Sequence, residues 1–337
     1  MIRRTVDLTP PDLAAHSAII DVRSPAEFEL DHLPGAINLP VLDDAERAEI
    51  GKEYVQGSKF LARRRGAALV ARNIARHLEG GLSDRDGSFR PLVYCWRGGQ
   101  RSGAMATVLD QVGWGVTVVH GGYQTWRRQV VATLYDRPLP HRLVLVDGPT
   151  GSGKTELLHR LSKDGVQTLD LEALANHRGS LFGSVGPQPS QKLFETRLHD
   201  ALARLDPSSQ VVVEAESSRI GTVTVPPSLW AAMQAAPSVV LDTPIERRVA
   251  RILDDYAATV ADPAALDTVL GRLPRHLSKA LIARWRELAA TRELAALVRE
   301  LIDQHYDPAY RRSPRLSGKD VIDPGLLALI RSHADAP

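Results

Sequence analysis

The sequence predicts two consecutive α/β domains, each built on a parallel sheet, with a largely helical region in the C-terminal part of the second. Three observations lead to this prediction. Short β-prone runs alternate with helix-period patterns in both halves of the chain, as is typical of parallel sheets covered by helices. A proline-rich joint at residues 136–141 separates the halves, and beyond Pro244 the pattern is mostly helical. The predicted domains are residues 1–135 and 142–337.

Composition excludes several classes of protein. The chain has 337 residues, enough for two cores, and its formal net charge is only +2, so any nucleic-acid surface must be a local patch. Its single cysteine excludes an intrachain disulfide and fits a reducing compartment. No apolar run approaches the roughly 18 residues of a membrane span, and the first residues lack the apolar core of a signal peptide. We therefore expect a cytoplasmic protein that does not enter a membrane.

The first half contains four predicted strands, each followed by turn or helix signals. A serine–proline pair after the first strand predicts a helix start. Residues 58–78 carry apolar side chains at helical spacing, with three consecutive arginines between them. The strands are residues 18–23, 36–40, 92–94 and 116–119, and a further helix runs through Trp126.

The loop after the third of these strands is the predicted catalytic feature of the first domain. Cys95 stands where the strand ends, and a helical pattern begins at Ser102. The loop glycines permit unusual backbone angles, so successive N–H groups can surround an anion at a helix N-terminus. With the added arginine charges, these features favour a thiolate, which we expect to be ionised and exposed. The loop residues are Trp96, Arg97, Gly98, Gly99, Gln100 and Arg101.

Four separate stretches of this half resemble the rhodanese domain. They are residues 21–28, residues 32–38, the Cys95 loop and residues 121–126. The resemblance implies a loop cysteine that carries sulfur or selenium, and structural roles for Asp21, Arg23 and His32. The spacing Cys-x5-Arg from Cys95 to Arg101 is also the signature of cysteine phosphatases, so that class stays open.

The second half opens with a phosphate loop. A buried-type strand, residues 142–147, leads into Gly-x4-Gly-Lys-Thr, and an amphipathic helix follows. Glycines let the backbone N–H groups face phosphate oxygens, and the helix N-terminus favours the negative charge. Lys154 is expected to reach a terminal phosphate, and Thr155 could hold Mg²⁺. The predicted diphosphate-binding residues are Gly148, Gly151, Ser152, Gly153, Lys154 and Thr155.

The rest of the second half offers weaker signals. We find no clear strand ending in aspartate, so nucleotide hydrolysis is doubtful while diphosphate recognition is not. Two polar loops, 177–183 and 214–221, could line the site, and basic clusters near residues 247–251, 272–286 and 311–319 could contact RNA phosphates or be solvated faces. The possible substrate-site residues are Asp170, His177, Arg178, Glu214, Glu216 and Arg219.

Over nearly its full length the chain resembles the tRNA 2-selenouridine synthase family, on the Cys95 loop, the phosphate loop, residues 170–180 and residues 214–221. The resemblance implies a rhodanese-like domain followed by a P-loop NTPase-like domain. It implies that wobble 2-thiouridine in tRNA is geranylated with geranyl diphosphate and that the S-geranyl group is then replaced by selenium from selenophosphate.

In that scheme Cys95 forms a selanyl intermediate while Arg97 and Arg101 neutralise phosphate. We expect no tightly bound cofactor and no dedicated metal site, with Mg²⁺ as an option, and predict no oligomeric state. An ATP-dependent tRNA sulfurtransferase and a rhodanese-fold cysteine phosphatase are the alternatives. The first should turn over nucleotide in response to tRNA, and the second should hydrolyse an aryl phosphate without RNA.

Overall fold

The computed structural model describes residues 2–178, 186–257, 261–271, 273, 277–312 and 321–334. The chain divides into two compact units. The first comprises Met1–Arg137 together with Pro189–Arg204, and the second comprises Pro138–Gln188 and Leu205–Pro337. Within the described residues, no helix combines the length and apolar character needed to cross a bilayer.

The first unit is built on a five-stranded parallel sheet with the order β1-β5-β4-β2-β3. The central strands are buried along their length, as expected for a parallel sheet covered by helices. Its strands are β1 (Arg3–Thr5), β2 (Ala18–Asp21), β3 (Ala36–Asn38), β4 (Pro91–Tyr94) and β5 (Thr117–Val119). Its helices are α1 (Pro10–Ala14), α2 (Pro25–Leu30), α3 (Asp44–Gln56), α4 (Lys59–Glu79), α5 (Gln100–Val112) and α6 (Tyr123–Leu134).

The second unit has a four-stranded parallel sheet with the order β11-β6-β8-β7 and a separate antiparallel pair, β9-β10. Its strands are β6 (Arg142–Asp147), β7 (Thr168–Leu169), β8 (Gln210–Glu214), β9 (Arg219–Ile220), β10 (Val223–Thr224) and β11 (Ser238–Val240). Its first helices are α7 (Lys154–Lys163), α8 (Leu171–Ala175), α10 (Pro227–Ala235) and α11 (Ile245–Asp255), with α9 (Gln191–Ala203) lying in the first unit.

The predicted helical C-terminal region follows α11. Leu266, Leu270, Trp285 and Leu288 are among the side chains of its separate core. Its elements are α12 (Pro263–Gly271), α13 (Lys279–Ala290), α14 (Leu294–Leu301), a π-helical turn (Ile302–Tyr306), α15 (Asp307–Arg312) and α16 (Pro324–Ala334).

Helix α9 departs from the predicted domain division, because we expected all of residues 142–337 in the second domain. The indole N–H of Trp126 donates to Thr196 Oγ1 at 3.0 Å. The buried Glu195 carboxylate accepts from the Tyr135 hydroxyl at 2.6 Å and pairs with Arg127. These buried polar contacts join α9 to α6, and the sequence gives no local signal for them.

Candidate functional site

The Cys95 side chain is buried, so the expectation of an exposed thiol is wrong. Cys95 is only 3% exposed and belongs to the same hydrophobic cluster as Val93 and Met105. The reason is the strand alternation: side chains two residues apart point to the same face of the sheet, and Cys95 continues the inward row of β4. Its sulfur accepts a hydrogen bond from the Ser102 hydroxyl at 3.3 Å. The sulfur therefore lies beneath the loop instead of on its surface.

The backbone of the loop is anchored by the start of α6. The amides of Tyr123 and Gln124 donate to the carbonyls of Cys95 and Trp96 at 2.8 and 3.2 Å. Gly122 is required here, because a Cβ would lie 2.3 Å from the Cys95 carbonyl oxygen. With these carbonyls held, the N–H groups of residues 96–99 donate to no acceptor in the described part of the protein. These amides are therefore unpaired donors, of the kind that the predicted anion loop requires.

The two arginines of the cysteine loop differ in exposure and in their contacts. Arg97 is exposed, whereas Arg101 forms an ion pair with Glu27, with Nη1 and Oε2 2.8 Å apart. Arg47 contacts the same carboxylate at 2.9 Å. Although burial opposes it, the Arg101 guanidinium lowers the pKa of Glu27, with help from Arg47. Arg101 is thus held at the rim of the loop by a carboxylate that stays ionised.

Asp21, Arg23 and His32, which the sequence assigned to structural roles, make internal contacts. The buried Arg23 pairs with Asp21 at 2.6 Å and donates to the Asp31 carbonyl at 2.6 Å. His32 Nδ1 contacts the Phe28 carbonyl at 2.8 Å. These bonds tie β2 to the residues that follow α2.

In the second unit, the phosphate loop lies between β6 and α7, as its spacing predicts. Lys154 donates to the Gly148 carbonyl at 2.9 Å, so its ammonium closes over the loop. Gly153 has a φ of +94°, and a Cβ there would lie 2.7 Å from the Arg251 guanidinium. Gly151 has a φ of +79°, and its Cβ would lie 2.9 Å from Ile252. The positive φ favours glycine at both positions, and at Gly151 the Arg248 carbonyl oxygen, 3.0 Å from such a Cβ, also restricts the space.

Two arginines of α11 donate to backbone carbonyls of this loop. Arg248 Nε donates to the Thr150 carbonyl at 3.0 Å, and Arg251 Nη1 donates to the Gly151 carbonyl at 3.1 Å. Arg248 is buried and pairs at 2.6 Å with Asp307 of α15. These contacts fix the loop backbone against α11, and within the loop the Ser152 amide donates to the Pro149 carbonyl at 3.0 Å. Sequence reasoning missed this role, because nothing local links α11 or α15 to the loop.

Three carboxylates stand beside the loop. Glu172, Glu214 and Glu216 have oxygens that all lie within 4.8 Å of one another. The Thr155 hydroxyl donates to Glu172 at 3.3 Å, and the Glu172 amide donates to Glu214 at 2.8 Å. Glu214 ends β8, the strand next to β6, and its second oxygen is buried without a partner. The acidic residues beside the phosphate loop are therefore glutamates, where the sequence offers no clear strand ending in aspartate.

Burial and repulsion between the carboxylates raise the pKa values of these three groups. Burial, followed by the charge of Glu216, raises the pKa of Glu172 to about 8, while Lys154 opposes the rise. Burial raises the pKa of Glu214 well above its usual value and raises that of Glu216 as well. The cluster therefore holds more protons than free carboxylates would at neutral pH, and a cation placed there would be strongly favoured.

A cavity of about 690 Å³ opens over the loop. Of the possible substrate-site residues, Arg178 and Glu216 line it. Asp170 instead caps α8 and lies 3.3 Å from His159, itself a lining residue. Glu172 of the 170–180 stretch and Arg251 of the first basic cluster also line it, as do Glu156 and Tyr256, which the sequence did not single out.

Two of the remaining candidates lie away from this lining. Arg219 bonds to the Gly221 carbonyl at 3.0 Å within the β9-β10 hairpin. His177 packs against that hairpin, where a Cβ on Gly221 would come within 2.8 Å of its ring. Outside the described residues lie 179–183 of the first polar loop and four members of the basic clusters, Arg272, Arg275, Arg315 and Lys319.

Fold and sites together define a protein that combines a rhodanese-like domain with a phosphate-loop domain. The rhodanese-like domain family matches residues 9–129, and the family described as the tRNA 2-selenouridine synthase AAA domain matches residues 141–268. The chain is 36% identical over 326 residues to a tRNA 2-selenouridine synthase of Nitrosomonas europaea, across 94% of this chain and 82% of the relative. For that of Bdellovibrio bacteriovorus the identity is 32% over 319 residues, across 90% and 84%. This chain belongs to the tRNA 2-selenouridine synthase family, which confirms the resemblance and the predicted fold class.

Proposed function

We propose that this protein converts wobble 2-thiouridine of tRNA into 2-selenouridine in two steps. The first is geranylation of the sulfur by geranyl diphosphate at the phosphate loop, and the second is replacement of the S-geranyl group by selenium from selenophosphate. The observation that carries the proposal is one chain with two different anion sites: a cavity over Lys154 and a cysteine loop with unused amides. The names of its relatives supply the substrate class, tRNA.

The cavity suits the first step. The thiocarbonyl sulfur attacks the allylic carbon of geranyl diphosphate, a carbon–sulfur bond forms, and the carbon–oxygen bond breaks so that diphosphate leaves with the electron pair. Negative charge grows on the leaving oxygens, and the Lys154 ammonium at the helix N-terminus stabilises it. Because these donors are already in place, little reorganisation opposes the reaction.

Mg²⁺ fits the same cavity. The Thr155 hydroxyl and the carboxylates of Glu172 and Glu216 are oxygen donors of the kind that Mg²⁺ prefers, and the unpartnered buried oxygen of Glu214 needs a positive neighbour. When bound, the ion would neutralise diphosphate charge. We propose these residues as its ligands.

The cysteine loop suits the second step. Selenium replaces the geranyl thiolate at the uridine carbon, and phosphate is released from selenophosphate. We propose that selenium passes through a selanyl adduct on Cys95, with the loop amides and both loop arginines holding the phosphate group. Water attacks the phosphorus of selenophosphate, so that the phosphorus–selenium bond breaks and phosphate and hydrogen selenide are released. Joining this selenide to the Cys95 sulfur removes two electrons, and because Cys95 is the chain's only cysteine, a separate disulfide accepts them and becomes two thiols. The outer selenium then attacks the uridine carbon and expels geranyl thiol, after which the two thiols cleave the sulfur–selenium bond, free Cys95 and reform the disulfide.

The test compares Cys95→Ser with Lys154→Ala in tRNA product analysis by nucleoside mass spectrometry. Cys95→Ser should abolish selenation and leave geranylation intact, whereas Lys154→Ala should lose geranylation. Lys163→Ala is the control, because Lys163 is an exposed lysine on the same helix as Lys154. If Cys95→Ser and Lys154→Ala lose the same step to the same extent, the proposed division between the two sites is wrong.

A second candidate is an ATP-dependent tRNA sulfurtransferase, favoured by the carboxylates at the end of β8 beside the phosphate-loop strand. It requires ATP hydrolysis stimulated by tRNA. Glu172→Gln should then abolish nucleotide turnover, whereas in the geranylation scheme no turnover is expected in the wild type.

A further inference from the structure

Helices α3 and α4 pack against each other as a helical hairpin. Gly57 ends α3, and Ser58 begins α4 by accepting the Leu61 amide at 3.3 Å. Helix α3 buries none of its residues, and the buried residues of α4 are Ala62 and Gly66 in its N-terminal half and Asn73 and Ile74 further along. We call residues 52–64 the hairpin tip.

The hairpin tip exposes large apolar side chains. Val55 is 81% exposed, Phe60 70%, Leu61 42% and Tyr54 39%. Isolated exposed apolar residues are ordinary, but four within eight positions form a patch of the kind that marks an interaction surface. Because two of the four are aromatic, the patch offers flat faces as well as apolar area.

The same tip is positively charged. Lys52, Lys59, Arg63 and Arg64 are all exposed, and Glu53 is the only carboxylate within residues 52–64. Glu53 pairs with the neighbouring Arg65. The cationic groups of Lys59 and Arg63 each lie 5.8 Å from the centre of the Tyr54 ring. The surface therefore alternates cations with aromatic rings.

We propose that the hairpin tip binds unpaired nucleotides of the tRNA, an inference that rests on the proposed function. Tyr54 and Phe60 stack on bases, and the surrounding cations contact phosphates, the combination by which proteins bind single-stranded RNA. A second copy of this chain is a poor partner for the tip, because two positively charged tips would repel each other. The phosphates of an RNA strand would contact the cations of the tip, and its bases would contact the aromatic rings.

The base of the hairpin places this surface beside the cysteine loop. The Asp44 carboxylate in the first turn of α3 accepts the Ala26 amide at 3.1 Å. Arg47 of α3 shares Glu27 with the loop residue Arg101. From Arg47, the helical rise carries Tyr54 only about 10 Å further along α3. A nucleotide at the cysteine loop would therefore have its neighbours along α3 toward the tip.

The experiment measures tRNA binding by fluorescence anisotropy over a range of salt concentrations, with a tRNA that carries wobble 2-thiouridine. Tyr54→Ala/Phe60→Ala should weaken binding at least about tenfold through lost stacking. Lys59→Ala/Arg64→Ala should also lower the salt dependence, with the slope of log affinity against log salt reduced by roughly 1.4–2. The charge-matched control is Arg4→Ala/Arg137→Ala, exposed arginines outside the hairpin, which should leave affinity within about twofold of the wild type.

Three results would overturn the inference. If the wild type binds tRNA and both tip variants bind like the control, the tip is not an RNA surface, although the proposed function stands. If the tip variants change only the sedimentation of the protein and not RNA binding, the tip is a self-association surface. If the wild type itself binds no tRNA, both the inference and the proposed function fail.

Discussion

Replacing Glu172 with glutamine should stabilise the second unit in alkaline solution. An unfolded glutamate has a pKa near 4.5, whereas burial and then Glu216 raise that of folded Glu172 to about 8. Between these values the folded protein keeps a proton that the unfolded chain has released. The free energy of unfolding therefore falls as the pH rises through this window, and the penalty is complete above about 8. At about 1.4 kcal/mol per pKa unit, the penalty approaches roughly 5 kcal/mol.

The assay is urea unfolding read by hydrogen exchange in peptides of β8, which isolates this unit, at pH 4, 7 and 9. Glu172→Gln should match the wild type at pH 4 and exceed it at pH 9. Millimolar Mg²⁺ should restore much of the unfolding free energy that the wild type loses between pH 4 and pH 9. It should change the unfolding free energy of the variant little. Glu246→Gln, at an exposed and ion-paired carboxylate, is the control and should change stability by less than about 1 kcal/mol. Parallel pH profiles for wild type and Glu172→Gln would refute the reasoning.

Three more substitutions test the contacts around the two loops. Gly153→Ala should weaken binding of inorganic diphosphate at least tenfold in calorimetry, because both the left-handed backbone and a neighbouring guanidinium oppose a Cβ; unchanged affinity would contradict this. Asp307→Asn leaves the buried Arg248 without its anion and should cost about 3 kcal/mol of unfolding free energy and raise the KM for geranyl diphosphate; a change below 1 kcal/mol would count against that pairing. Glu27→Gln removes the negative charge that neutralises Arg101, so inorganic phosphate should inhibit selenation about fivefold more tightly. Weaker inhibition would show that Glu27 instead positions the arginine.

Local sequence patterns predicted where the two loops lie between their strands and helices. Each strand–loop–helix unit is short, and its glycines are needed because of the backbone angles within the same unit. The phosphate loop lies where Gly-x4-Gly-Lys-Thr placed it, with Lys154 closing over it. The burial of Cys95 was also foreseeable from the alternation along β4, but the loop charges outweighed it in our interpretation.

Long-range pairings could not be read from the sequence. Arg248 and Asp307 are 59 residues apart, and each looks like a surface charge on its own helix. The acidic cluster joins residues from different strand ends, and only the strand order brings Glu172 to Glu214. Helix α9 likewise joins the first unit through Glu195, a buried charge in an ordinary amphipathic pattern.

The most direct test of the account is peptide mass spectrometry of the protein after incubation with selenophosphate and a disulfide. The account predicts one selenium atom on the Cys95 peptide of the wild type and of Lys154→Ala, transferable to geranylated tRNA. A phosphate group on Cys95, or tRNA selenation by Cys95→Ser, would contradict it.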